Sequence, residues 1–128
     1  MRLLLDTRVF LWWNEGNPRL SRGARRLLAD PENTLFFSVV SAWEIALKAQ
    51  SGKLGLPTPV STYVPARLNH YGMEPMRLTL EHVLASSALP AHHWDPFDRM
   101  LVAQAPVEQL IIVTHDSQVR EYAVETVW

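Results

Sequence analysis

The apolar positions of this chain fall into short runs that switch between a strand period and a helix period. Residues 3–5 are a continuous Leu-Leu-Leu run that ends at Asp6, the pattern of a short strand buried on both faces. Residues 7–13 then read as a short helix. "SRGARRLLAD" (21–30) is helical, with Ser21 as cap and Asp30-Pro31 as stop. "TLFFSVV" (34–40) is β-branched and aromatic and predicts a strand. "SAWEIALKAQSG" (41–52) predicts a helix with Gly52 just past its end. Residues 61–71 carry a weaker helical pattern, bent or restarted at Pro65, and "MEPMRLT" (73–79) holds a short strand. "TLEHVLASSAL" (79–89) and "DPFDRMLVAQA" (95–105) are helical, the second ended by Pro106. "QLIIVTHD" (109–116) is the clearest buried strand, and a helical turn and a last short strand, "ETVW", finish the chain.

Strands that alternate with helices predict βαβ units and an α/β fold: a parallel sheet with helices on both faces. In such sheets ligands bind beyond the carboxyl ends of the strands. Asp6 ends the first strand and Asp116 the late one, so both are expected on the same edge of the sheet.

Length and composition narrow the picture. At 128 residues the chain reads as one domain, 1–128. It has no cysteine, which removes a disulfide framework and a zinc–thiolate site and suits a reducing cytosol. No secretory leader pattern and no apolar run of membrane-spanning length is present, so a cytoplasmic location is expected, with no membrane partner. The net charge is −1. Proteins that coat nucleic acid are usually basic, so a nucleic-acid role here requires a local basic patch or a bound metal.

The acids carry the chemistry, and each has a local explanation as well. Asp6 is placed to cap the helix after it, and Asp116 to cap the turn beginning at Ser117. Ser41 and Glu44 fit a capping box. In "DPFD", Asp95 fits a cap, with Pro96 first in the helix and Asp98 in its first turn. Taken jointly, the capping explanation weakens. Four carboxylates near one sheet edge repel each other unless some protonate or a cation lies between them. Magnesium prefers oxygen ligands and keeps several waters, so a few carboxylates suffice. Asp95 is assigned to structure, and Asp98 to the metal. Carboxylate-held magnesium suits phosphoryl chemistry by in-line attack of water.

At these residues the chain resembles PIN-domain ribonucleases, and within them the VapC-like toxins of type II toxin–antitoxin pairs. The matching segments are "LLLDT" (3–7), "SAWEIALK" (41–48), "GKLGLP" (52–57), "DPFDRMLVAQA" (95–105) and "LIIVTHD" (110–116), in order over essentially the whole chain. The resemblance implies a three-layer α/β/α fold around a mainly parallel sheet. It implies Mg2+- or Mn2+-dependent endonucleolytic cleavage of RNA, often tRNA or rRNA. The family's acidic quartet falls on Asp6, Glu44, Asp98 and Asp116 as catalytic and metal-binding residues, with Thr7 and Thr114 at its hydroxyl positions. A small VapB-like antitoxin and a homodimer are the implied protein partners. Related chains usually carry His where Arg8 stands, Arg or Asn where His115 stands, and a continuing alanine-rich helix at Pro106.

Arg22, Arg25 and Arg26 share a helix face that is either solvated or a phosphate-binding strip. Arg8 and Arg99 each adjoin a quartet acid, and with Arg22 and Arg26 are the candidate RNA phosphate contacts; Arg99 is equally placed to pair with Asp95 or Glu81. Trp12 and Trp13 are expected in core or dimer packing, His92 and His93 in a loop, and His70 and His82 carry no signal. Three rivals stand beside the ribonuclease. A phosphatase that forms an aspartyl-phosphate needs a second acid two residues after the first, where Arg8 stands. A DNA nuclease shares the metal chemistry. A PIN-like binding module would carry an idle metal site.

Overall fold

Strand and helix alternate from the first residues. The elements are β1 (Arg2–Leu5), α1 (Thr7–Glu15), α2 (Arg22–Ala29), β2 (Thr34–Ser38), α3 (Val39–Gln50), α4 (Val60–Tyr71), β3 (Glu74–Met76), α5 (Leu80–Ser87), α6 (Pro96–Glu108), β4 (Ile111–Val113), α7 (Ser117–Arg120) and β5 (Thr126–Val127). The computed structural model describes residues 1–91 and 95–128, so the loop expected at His92 and His93 lies outside the described residues.

The five strands form one sheet in the order β3-β2-β1-β4-β5. Every pairing is parallel, with Leu3 opposite Leu35 on one side and Ile111 on the other. The chain runs outward from β1 through β2 to β3, then crosses back to β4. The β1/β4 boundary is therefore the point where strand order reverses, and a crevice opens there beyond the strand ends.

The run Leu3–Leu5 is fully buried because both sheet faces are covered. Alternation sends Leu3 and Leu5 into a core with Phe10, Leu28, Leu35, Phe37, Ile45 and Val64, under α1 to α4. Leu4 enters a second core with Leu101, Val102, Ile112 and Tyr122, under α6 and α7. These are the two outer layers of a three-layer α/β/α fold. Among the described residues no helix is long and apolar enough to cross a membrane.

Three boundaries differ from the sequence expectation. The strand expected over 34–40 stops at Ser38, and α3 starts at Val39. The cap is Ser38, whose hydroxyl accepts the Val40 N–H at 3.1 Å, and not Ser41. Two consecutive valines suit a strand or a buried helix start equally, so the pattern alone does not mark the serine before them as the cap. Glu44 consequently stands in the second turn of the helix rather than in a capping box with Ser41. Pro106 does not end α6, which continues to Glu108. Proline forfeits one helical N–H bond, but Pro106 is exposed and lies in the last turn. The stop comes at Gln109, in the left-handed conformation at φ 58°, with Leu110 N–H donating to Ala105 O at 2.8 Å. Pro65 likewise sits inside a single α4 that spans both sides of it.

Candidate active site

Asp6 follows β1 and Asp116 follows β4, so the parallel pairing of these strands brings both to the crevice at the reversal point. Both are also helix caps. Asp6 Oδ1 accepts the Arg8 N–H at 3.0 Å, and Asp116 Oδ1 accepts the Gln118 N–H at 2.9 Å. Capping and site placement are thus one arrangement, since a cap at a strand-to-helix turn stands where the crevice opens. Asp95 caps α6 through the Phe97 and Asp98 N–H groups, at 2.9 and 3.1 Å, and so sets Asp98 in the first turn.

These acids meet in one pocket of about 110 Å³, lined by Asp6, Glu44, Asp95, Asp98 and Asp116 together with Thr7, Arg8, Lys48 and Lys53. Asp6 is 8 % and Glu44 5 % exposed. Asp6 is the most firmly oriented. The Thr114 hydroxyl donates to its Oδ2 at 2.7 Å, and Thr114 in turn accepts the Asp116 N–H at 3.1 Å. Burial pushes the Asp6 carboxyl above its ordinary value, and the charge of Glu44 adds to this. The Thr114 hydroxyl, the Arg8 N–H and the Arg8 charge pull it back. Thr7 plays a different part, donating to Ser41 Oγ at 2.7 Å in the interior and tying α1 to α3.

Glu44 reaches the pocket from α3. Its Oε2 pairs with Lys48 one turn on, whereas its Oε1 is buried with no hydrogen-bond partner. A buried carboxylate oxygen without a partner is costly, and it marks a position where a cation or water belongs. Among the described residues no group of three or more acidic or histidine side chains is arranged to hold an ion in the present side-chain positions. The donor set nevertheless fits a hard divalent ion. Its donors are all oxygen, and Glu44, whose Oε1 is orphaned, lines the pocket with several other carboxylates.

The basic candidates divide. Arg8 lines the pocket. Arg99 does not: its guanidinium donates to Pro90 O at 2.9 Å, Tyr122 OH at 3.1 Å and Ser86 O at 3.2 Å, fastening α5 and the chain after it to α6. Its guanidinium is engaged in holding helices together, so it is not carried forward as a phosphate contact. Arg22 and Arg26 are exposed on α2 and line neither this pocket nor its neighbour. Sequence reasoning missed Lys48 and Lys53. The i,i+4 spacing of Glu44 and Lys48 on one helix was the available signal. It also gave no role to His82, which is fully buried and bonded to Thr79 N, Gln104 Nε2 and Glu108 Oε1.

Comparison with known proteins agrees with this architecture. Residues 3–125 match the PIN domain family. Ribonuclease VapC22 of Mycobacterium tuberculosis is 28 % identical over 121 residues, 94 % of this chain and 91 % of that protein. Ribonuclease VapC16 of the same organism is 37 % identical over 70 residues, a match that spans about half of each chain (52 % and 50 %). A crystal structure of VapBC2 from Rickettsia felis, bound to a DNA fragment from its promoter, superposes with a TM-score of 0.71 at 14 % identity, covering 99 % of this chain and 98 % of that one. With the family match running through both carboxylate-bearing strands and every helix between them, the chain belongs to the PIN domain family.

Proposed function

We propose that this protein is a metal-dependent endoribonuclease, the toxin of a toxin–antitoxin pair, which hydrolyses RNA phosphodiester bonds at the carboxylate pocket. The observation that carries this reading is the meeting of Asp6, Glu44, Asp98 and Asp116 in one crevice, with Glu44 Oε1 buried and unpartnered. Asp6, Glu44, Asp98 and Asp116 would hold Mg2+ or Mn2+. When bound, the ion supplies an activated water and offsets charge on the phosphate.

The remaining work falls to the chain's own groups. The Thr114 hydroxyl and the Arg8 N–H each hold one oxygen of Asp6, which aims that carboxyl group and offsets part of the upward pull of burial. Asp95 fixes the first turn of α6 and with it Asp98. Lys48 neutralises Glu44 until a stronger cation arrives. Arg8 and Lys53 give the pocket rim positive charge for a phosphate.

The named relatives support RNA as the substrate and a VapB-like antitoxin as the partner. A homodimer is supported by exposed apolar residues: Val39, Trp43 and Leu47 along α3, and Leu80, Val83 and Leu84 on α5. A cytoplasmic setting suits a chain without cysteine.

The first test is calorimetric titration of Mn2+ into the partner-free protein, beside Asp6→Asn and Asp98→Asn variants that melt normally. Binding lost in both variants is expected, followed by Mn2+-dependent cleavage of cellular RNA that Asp98→Asn abolishes. Metal binding that survives both changes would leave the acids as caps. Equal cleavage of single-stranded DNA would favour a general nuclease.

A further inference from the structure

A second, larger cleft of about 560 Å³ opens beside the carboxylate pocket and shares Arg8, Leu11, Lys53 and Leu54 with it. Its character is the reverse of its neighbour's. Four cations, Arg8, Arg19, Lys53 and Arg67, face one carboxylate, Glu15. The whole chain has a net charge of −1, so this concentration is local, and it draws on α1, the loop after it, the loop after α3, and α4.

Arg67 is held for use. Its Nε donates to Asn14 Oδ1, its Nη2 donates to Tyr71 OH at 3.3 Å, and its Cζ lies 5.2 Å from the Tyr71 ring centroid. A guanidinium fixed in this way loses little freedom when it meets a phosphate. Tyr63 lines the same cleft, and burial pushes its phenol above the ordinary value, so it presents a neutral ring.

A polyanion brought to five carboxylates meets repulsion, and cations on the shared wall offset it. A strand leaving the carboxylate pocket across Arg8 and Lys53 enters this cleft directly. Its volume lies within the range of small-ligand sites and suits about one nucleotide. We propose that the cleft is the subsite for the nucleotide next to the scissile bond, with its phosphate on Arg19, Lys53 and Arg67 and its base against Tyr63. The proposal rests on the reading of the chain as an RNA-directed enzyme. It keeps Arg8 among the phosphate contacts and replaces Arg22, Arg26 and Arg99 with Arg19, Lys53 and Arg67, in a cleft assembled from distant segments.

The test is fluorescence anisotropy of a short mixed-sequence single-stranded RNA on the full chain in EDTA, where cleavage cannot interfere, over a range of salt. Arg19→Gln and Arg67→Gln are each expected to weaken binding about five- to tenfold and to make the salt slope shallower by about 0.7. Arg67→Lys, which keeps the charge, is expected to recover part of the loss. Arg19 is exposed and tied to Asn17 only through its backbone N–H, so its variant tests the cleft where Arg67→Gln fails to fold. Unchanged RNA affinity in a folded Arg19→Gln, a loss seen in Arg26→Gln instead, or a loss confined to an acidic protein partner would each overturn the subsite. RNA binding that depends on the cleft without any Mn2+-dependent cleavage would keep the cleft as an RNA-binding site but overturn its place beside a scissile bond, together with the nuclease reading.

Discussion

Asp6 and Glu44 show how a site residue is held at a cost to the fold. A folded-state pKa above the unfolded one means that the native state retains the proton more tightly. Since Asp6 is raised above its ordinary 3.8, its contribution to stability is fully present below that value and is lost as pH rises through the raised one. Asp6→Asn, which keeps an acceptor for the Arg8 N–H, should therefore melt progressively higher than wild type, both metal-free, as pH climbs through that window. Thermal melts in chelator check this, and a gap that does not widen with pH would contradict it. Lys48 offers a second expectation. Its charge sits on Glu44, where it opposes an entering cation. At the effective dielectric of a protein surface, Lys48→Met should tighten Mn2+ binding about tenfold. Calorimetry reads the change, and looser binding would show instead that Lys48 helps to build the site. Lys48 was not visible as a site residue because a charge at i+4 on a helix is usually a surface pair, and Lys53 was not because it lies in the loop after α3.

At the scale of the element, helix starts were legible where a capping side chain stands just before a helical pattern: Asp6, Ser21, Asp95 and Asp116 all cap as their positions in the chain suggest. The junction between β2 and α3 was not, because Val39 and Val40 satisfy either period. Ser38 does two jobs there. It accepts the Val40 N–H and donates to Gln104 Oε1 at 2.6 Å, in a buried chain that continues to His82 and Glu108. Ser38→Ala removes a cap and strands a buried amide oxygen, and should cost about 2–3 kcal/mol in urea denaturation. A loss under 1 kcal/mol would show that α3 starts elsewhere. The prolines misled for a related reason. Pro65 and Pro106 are both exposed, and a helix packed on its other face absorbs one missing bond.

For the whole molecule, the strand order decides where the carboxylate pocket forms. Placing β1 between β2 and β4 sets two carboxylate-bearing strand ends side by side and brings α3 and α6 over the same crevice. Exposed apolar residues on α3 and α5 carry a further consequence. Trp43 is 57 % exposed even while it packs edge-on against Phe97 at 5.1 Å, and Leu84 is 60 % exposed. If copies of this chain pair through these helices, Trp43→Glu should shift the sedimenting species from dimer to monomer while leaving Mn2+ affinity within about twofold, since the residue lies outside the pocket lining. A variant that sediments as wild type would direct the search for the interface to another face.

Local chemistry determined most of what was read before the fold was known. The periods of the apolar runs defined the layers, and the caps marked the acids at the strand ends, because both depend on neighbours within a few residues. The four acids could be named from the chain, yet their meeting depends on strand order, which no local pattern encodes. The tertiary structure alone decided that Arg99 is spent on carbonyls, that Thr7 bonds Ser41, and that Glu44 keeps a bare oxygen. It also gathered Arg8, Arg19, Lys53 and Arg67 into one basic cleft. These residues are spread from Arg8 to Arg67 along the chain, and only the packing of α1 on α3 and of α3 on α4 brings their charges to one cleft.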